Sequence, residues 1–427
     1  MIIGTPTRRV RRALAALTLT TAAVALSACG GGDNAGSSGD GDVTLNALFL
    51  DTDVYTPCVT DYVQRFTDET GIEVNVQSEG FQGYHDKLLT TLSSGSDTYD
   101  LTMIAYQWTG EFSPFMVPIT DKVEEDEDVL GGILPASTDT YVFEDQQYAI
   151  PFTAQAETLF YRTDLFEQAG LEPPTTWQEF TDTAEFFSDN PDFPGVYGTS
   201  VKAAPSHAQT MFDNRYYGFG GEALGEPGSE MDVDAAAQAL QQLKDDATVY
   251  SPPGALAATF AEVAAQFAGG TVAMAELMPT TVLGLVNDEG DSNKVLGNVG
   301  ATVIPGGHGE AGGWGLSVTQ TSKQQDAAYE LARFMTSEEA DLACYNDYGK
   351  PAVQQATYDD PDVQAAWQTQ GILDALSSSL GKARGATAAQ INGMMDDTVS
   401  RFLAGQAGSA EEAAQELADQ YRDLVGD

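Results

Sequence analysis

The sequence predicts an α/β protein of two lobes, and three observations carry that prediction. From Val43 to Ile104 the chain reads strand, helix, strand, helix, strand, the order that builds a parallel sheet with helices on its faces. Tyr148–Gly170 then reads as a strand, a proline break, a second strand and a short helix, as when a chain passes from one sheet to another. The 427 residues also exceed what one hydrophobic core serves, so two domains are expected.

Residues 1–28 read as a processing segment. Arg8, Arg9, Arg11 and Arg12 form a charged beginning, and the apolar run Ala13 to Ala25 is too short to span a bilayer as a helix. Leu26-Ser27-Ala28-Cys29 resembles a lipobox, which implies that Cys29 becomes the lipidated first residue of the mature protein. Residues 29–42 are a Gly/Ser/Asp tether with no apolar face. The body of the chain is then expected on the outer face of the cell membrane, held there only by its lipid. Removing residues 1–28, with four arginines and no acid, takes the formal charge from −45 to −49. A charge of that sign excludes nucleic acid and direct docking to anionic lipid, and reads as a solvated acidic surface. Besides Cys29 the chain has only Cys58 and Cys344; in an exported protein they pair as a disulfide or stay as two buried thiols.

Val43 to Leu50 carries apolar residues on both faces, as a strand covered on both sides does. Tyr55, Val59, Tyr62, Val63 and Phe66 recur at helical spacing up to Gly71. Ile72, Val74 and Val76 alternate as a strand, a helix runs from Gly83 to Ser93, and Asp100 to Ile104 is another buried strand. In the second lobe Thr176 and Glu179 form a capping box ahead of the stripe Trp177, Phe180, Ala184 and Phe187. Val233, Ala236, Leu240, Leu243 and Ala247 mark a further helix, and another ends at Gly269-Gly270 before the strand Thr271 to Ala275. Val299 to Ile304 and Gly312 to Val318 read as strands returning to the first lobe. Ser322 with Gln325 makes a capping box before Ala328, Leu331, Phe334 and Met335, and helices from Thr387 and Ser409 finish the chain. Crossings near residues 150, 300 and 347 give a first lobe of 43–150 plus 300–346 and a second of 151–299 plus 347–427.

The chain offers little chemistry. His85, His207 and His308 lie far apart with no second ligand at metal-binding spacing, and neither a phosphate-cradling loop nor a nucleophile elbow is present. Carboxylates are too abundant for a glycosidase pair to be excluded by counting. Beyond the strand Leu101–Ile104, however, lie Tyr106, Gln107 and Trp108. Open α/β sheets bind ligands at strand carboxyl ends. Sugars offer CH faces to aromatic rings and hydroxyl pairs to amides and carboxylates, so this grouping suits a carbohydrate.

Pro151, Phe152, Thr153, Leu159, Phe160, Tyr161 and Phe166 together resemble the signature of family 1 extracellular solute-binding proteins, the sugar-binding subunits of ABC importers typified by maltose-binding protein. The match departs at Thr158 and Arg162. Pro173-Pro174-Thr175-Thr176-Trp177, the set Phe267, Gly270, Ala273 and Met274, and Gly349-Lys350-Pro351 resemble further motifs of that family, in family order, over nearly all of 43–427. The resemblance implies a two-lobed periplasmic-binding-protein-like fold of type II, each lobe a mainly parallel sheet flanked by helices, with three hinge crossings. It implies a monomer that captures a mono- or oligosaccharide between its lobes and delivers it to an ABC permease, with no cofactor, metal or catalytic residue.

The same resemblance places ligand contacts at Asp53, after the first strand, where an N-cap is the alternative, and at Gln155 beside the crossover. It adds Trp314 in a Gly-flanked loop and Arg384 in a Gly-rich loop, although Gly385 replaces the usual following proline. Asp213 and Glu276 fall where the second lobe should line the cleft. Met278-Pro279-Thr280 stands where relatives carry a tryptophan, which leaves the sugar open. Two other readings stay open: a secreted glycoside-cleaving enzyme, and the same fold binding a polyamine, a metal or a phosphorylated polyol. Cys29→Ala is expected to leave the protein folded but unlipidated, released to the medium or held as a precursor; mass spectrometry that finds the variant still acylated would remove the lipid-anchor reading.

Overall fold

The computed structural model describes residues 43–126, 128–188, 190–205, 207–225, 229–383, 385 and 387–425; Cys29 and Arg384 lie outside the described residues. A strand that is apolar on both faces must lie inside a covered sheet. β1 (Thr44–Leu50) does so, flanked in parallel by β2 (Glu73–Glu79) and β3 (Leu101–Ala105). Helix α1 (Tyr55–Thr70) buries Tyr55, Cys58, Val59, Tyr62, Val63 and Phe66 along one face and stops at Gly71, whose φ of 75° suits a residue without Cβ. Helix α2 (Phe81–Ser93) makes the second crossover.

After a short hairpin of β4 (Val142–Phe143) and β5 (Gln146–Gln147), the chain enters β6 (Ile150–Ala156) and, past Glu157 alone, β7 (Thr158–Arg162). β8 (Met274–Leu277) and β9 (Val299–Val303) pair on either side of β7, and β10 (Ala311–Val318) returns to the first sheet. The first sheet has the order β2-β1-β3-β10-β6, with β10 antiparallel to both neighbours. β1, β2, β3 and β6 therefore all end, and β10 begins, at one edge. β7 starts from that edge and runs away from it. β8 and β9, antiparallel to β7, run back and end beside Thr158 at Leu277 and Val303. Both sheets thus present strand ends to the same hinge.

β9 pairs with β7, so the chain re-enters the five-stranded sheet only at Ala311, after the position near 300 where the sequence places a crossing. Beyond position 347, Ala352, Val353, Tyr358, Val363, Ile372, Ala375 and Leu376 pack in the core of the first sheet, and the helical core of the second lobe takes over at Ala383. The cause is local. The buried Asp341 carboxylate accepts from Lys350 Nζ (2.6 Å), Thr357 Oγ1 (2.8 Å) and the amides of Val353 and Gln354, folding 350–357 onto the helix Glu338–Tyr348. Burying side chains as large as Tyr358 and Ile372 contributes about 1.5–3 kcal/mol each.

The capping box at Thr176 and Glu179 is present, with bonds of 3.1 and 3.2 Å. The one expected at Ser322 is not: the helix begins at Gln325 with Gln324 as its N-cap, and the Ser322 hydroxyl donates to the buried Asp100 Oδ1 (2.6 Å) while accepting from Gln324 N–H. Cys58 on α1 and Cys344 on the helix Glu338–Tyr348 form a disulfide, with Cα atoms 5.5 Å apart across a sequence separation of 286. Replacing both by serine is expected to cost about 2–5 kcal/mol. Urea unfolding should show the midpoint fall, and unreduced peptide mapping of the parent should find the linked pair; two free thiols there would refute it.

Candidate functional site

The edge where strands end gathers four turns: 51–54 after β1, 80–81 after β2, 106–108 after β3 and 155–157 at the crossover, with Glu310 to Trp314 arriving opposite. Aromatic rings line it. Trp108, half-buried in the turn Tyr106–Trp108, lies 6.3 Å from Tyr84 in a stacked arrangement and 5.2 Å from Trp314, perpendicular to it. Phe81, at the first position of α2, stands edge-on to Trp314 at 6.4 Å and is 49 % exposed. His85, one turn on, packs against Trp108 at 4.8 Å and Phe112 at 5.5 Å.

The cluster is held from behind. Tyr84 donates its hydroxyl to the Leu48 carbonyl (2.9 Å) and accepts from Met103 N–H (3.1 Å), which pins it between β1 and β3. Trp314 is aimed by a register shift between Trp314 and Gly315, where β10 meets β6. A Cβ at Gly313 would stand 2.5 Å from the Thr153 carbonyl, so only glycine lets the two strands approach there.

The second sheet closes on this wall from β8 onward. Thr280, at the start of the helix Pro279–Val286, donates its hydroxyl to Gln155 Oε1 at 2.8 Å. A Cβ at Gly312 would come within 2.9 Å of the Met278 methyl, so Met278 rests on that glycine. Behind these contacts lies a cavity of about 110 Å³ lined in part by Tyr106, Tyr141, Thr153, Gln155 and Gly312.

Beyond it runs a buried chain of charges. Arg215, fully buried in the helix Ala208–Gly218, donates to Asp246 Oδ2 (2.6 Å), Glu276 Oε1 (2.7 Å) and the Met211 carbonyl (2.8 Å). Glu276 also accepts from Asn214, whose Oδ1 accepts the Glu310 amide (2.8 Å). Glu310 faces Lys382 at 3.4 Å, and Lys202 pairs with the buried Glu157. Burial pushes the Asp246 carboxyl up to about 6 against the pull of Arg215, and Glu157 up to about 6 against Lys202. Burial also drives Asp213 well above the ordinary carboxylate range, with Lys382 opposing and Glu310 adding to the rise. Among the described residues no cluster of three His, Cys, Asp or Glu is set to hold a metal, and no helix is long and apolar enough to cross a membrane.

The structure brings Gln107, Trp108, Trp314 and Gln155 to one edge and places Asp53, exposed, in the turn above it. Trp314 is 7 % exposed, so it supports Trp108 more than it offers a face of its own. Asp213 and Glu276 lie deeper, with both Glu276 oxygens taken by Arg215 and Asn214. Sequence reasoning read Gly83 to Ser93 only as a helix, left Phe81 outside it and weighed His85 only as a metal ligand, so it missed all of Phe81, Tyr84 and His85 as members of this cluster. It missed Lys382 and Glu310 because nothing local marks a pair whose partners come from distant segments.

The family model described as bacterial extracellular solute-binding protein matches residues 36–341. A probable amino-acid ABC transporter periplasmic-binding protein, y4oP, of Sinorhizobium fredii is 23% identical over 82% of this chain and 82% of its own. The maltose-bound MalE3 of T. maritima superposes with a TM-score of 0.80 at 25% identity, covering 90% of this chain and 100% of that one. A solute-binding protein of Agrobacterium radiobacter in complex with ribitol gives 0.79 at 23% identity over 90% and 98%. The charge chain makes its own prediction. Arg215→Met is expected to cost about 3–5 kcal/mol in urea unfolding, because two buried carboxylates lose their shared cation. Adding Asp246→Asn and Glu276→Gln should recover much of that loss, and a single variant as stable as the parent would contradict it.

Proposed function

The chain belongs to the bacterial extracellular solute-binding proteins, and on that premise we propose that it captures a carbohydrate, sugar or polyol, between its two lobes and passes it to the membrane subunits of an ABC importer. The observation that carries the reading is the aromatic wall at the strand ends, where the half-buried Trp108 is fixed by Tyr84 and Trp314. A sugar or polyol can lay its CH face on that ring. Its hydroxyls then reach Gln107, Gln155 and Asp53, and Arg384 is a further contact by family resemblance. Asp213 acts from the deeper wall, and Glu276 acts by holding Arg215 in place. A maltose-bound and a ribitol-bound neighbour support a neutral, hydroxyl-rich ligand. The wall also favours such a ligand over a metal, which has no apolar face to lay on a ring.

Binding closes the lobes. Contacts already reach across, from Gln155 to Thr280 and from Lys382 N–H to the Tyr106 hydroxyl (2.9 Å). A ligand touching both sides stabilises the closed state by its differential contacts, and only by those. The protein works as a monomer without catalysis, tethered through Cys29 at the outer face of the cell membrane. Incubation with oligosaccharides should therefore release no new reducing ends.

A thermal-shift screen over mono- and disaccharides and polyols identifies the ligand, since saturation at 100 times the dissociation constant stabilises by about 2.7 kcal/mol. With that ligand, Trp108→Ala is expected to weaken binding by about 1–3 kcal/mol without unfolding the protein. Small-angle scattering should show the radius of gyration fall on saturation. An unchanged radius, or normal binding by Trp108→Ala, would overturn this cleft.

A further inference from the structure

We propose that His85 is a positioning residue for Trp108, and that the proton on its imidazole tightens capture of the ligand. The inference rests on the reading of Trp108 as the ligand's platform. The His85 ring lies 4.8 Å from the Trp108 ring at 64° and 5.5 Å from Phe112 at 86°, wedged between the two. Its Nε2 is 3.0 Å from Glu111 Oε2 and its Nδ1 is 3.2 Å from Asp86 Oδ1. A neutral imidazole donates from one nitrogen only, so it would turn a lone pair toward one of these carboxylates; the imidazolium donates to both.

The two bonds differ in consequence. Asp86 follows His85 on α2 and its side chain is 91% exposed, so that contact is local and screened. Glu111 lies on helix α3 (Thr109–Phe112), which continues directly from the turn carrying Trp108, and its side chain is only 20% exposed. The His85–Glu111 bond therefore clamps α2 to the turn that sets the indole's angle. Among the described residues Glu111 and Asp86 are the ionisable groups facing His85; Trp108 and Phe112 are its remaining ring contacts.

The bond to Glu111, chiefly, raises the His85 pKa above its ordinary value; partial burial opposes it and Asp86 adds to it. A raised imidazole pKa means that the charge-assisted clamp is fully made at low pH and weakens, as pH rises through the folded-state value, to the single bond a neutral imidazole can donate. The charge also lies within cation–π reach of the indole, which strengthens the hold while the proton is present.

The test uses the mature protein, with maltose as the probe. Tryptophan fluorescence is followed from pH 5 to 9 (roughly the span of imidazole titration). A charged imidazole quenches a neighbouring indole, so emission should rise through one step in the parent. That step should vanish in His85→Gln and in Trp108→Phe. Maltose affinity should fall by about two- to fivefold across the same step in the parent and stay flat in His85→Gln. A step that persists in His85→Gln, or parallel affinity profiles, would overturn the proposal. If Trp108→Ala binds as the parent does, the platform itself fails. If that variant loses binding while His85→Gln keeps the parent's pH profile, only the role of His85 fails. Should maltose not bind, the fluorescence step decides.

Discussion

On its way out the chain changes sheet at one residue. β6 ends at Ala156 and β7 begins at Thr158, so the whole change of sheet happens at Glu157. Its amide donates to the Glu310 carbonyl (2.9 Å), where the chain comes back, and a Cβ on Gly309 would collide with the Glu157 carbonyl. Outgoing and returning strands therefore lie against each other with no slack between them. That contact explains why both sheets turn their strand ends to one edge, and hence why a cleft exists there. Its carboxylate is buried and paired with Lys202, which draws the second lobe's 202 segment onto the crossing. Removing the lysine would leave an unpaired charge where the chain has least freedom to adjust.

The charge distribution follows from the same demand. Against 64 acids the chain has only 19 lysines and arginines. Several of those cations are inside: Arg215, Lys350, Lys202 and Lys382 have side chains 0%, 1%, 5% and 12% exposed. Each sits where segments from different parts of the chain meet. Cations used in this way cannot screen the surface, which is left strongly acidic. Dissolved salt then does part of the work that surface lysines do in other proteins.

Much of the first lobe was legible because β1, α1 and β3 carry strong periodicity that tertiary contacts reinforce rather than override. Trp108 could be placed because it follows a clear strand by a few residues. What could not be read depends on partners distant in sequence. β9 reads as a return strand, but it stays with β7, since pairing depends on which edge is free and periodicity does not record that. Ser322 has a capping spacing, yet the helix starts only at Gln325, and Asp100, far away in the chain, accepts the Ser322 hydroxyl. Residues 350–376 lie on the first core because Asp341 holds them there, a carboxylate that looks like any other acid in an acidic chain. Glu276 reads as a candidate ligand contact for the same reason; only Arg215, 61 positions away, reveals its burial partner.

The contacts across the hinge bear on how such a protein responds to its ligand. Gln155 bonds to Thr280, Tyr106 to Lys382 and the Tyr217 hydroxyl to the Gly381 carbonyl (3.0 Å), and Met278 lies over Gly312. Each is a single neutral hydrogen bond or one apolar contact, contributing about 0.5–1.5 kcal/mol net where a bond is made. Contacts of that size do not by themselves lock the arrangement against a ligand's own differential contacts. Near balance, modest differential contacts shift the population far, whereas a locked state would exclude the ligand and a fully open one would reduce its apparent affinity. Most of these contacts come from turns and helix ends, where a small rotation breaks them together. The aromatic cluster behind Trp108, by contrast, belongs wholly to the first lobe and moves with it as a unit. The Trp108 ring is thereby held by its own lobe, while the contacts opposite it are weak and replaceable.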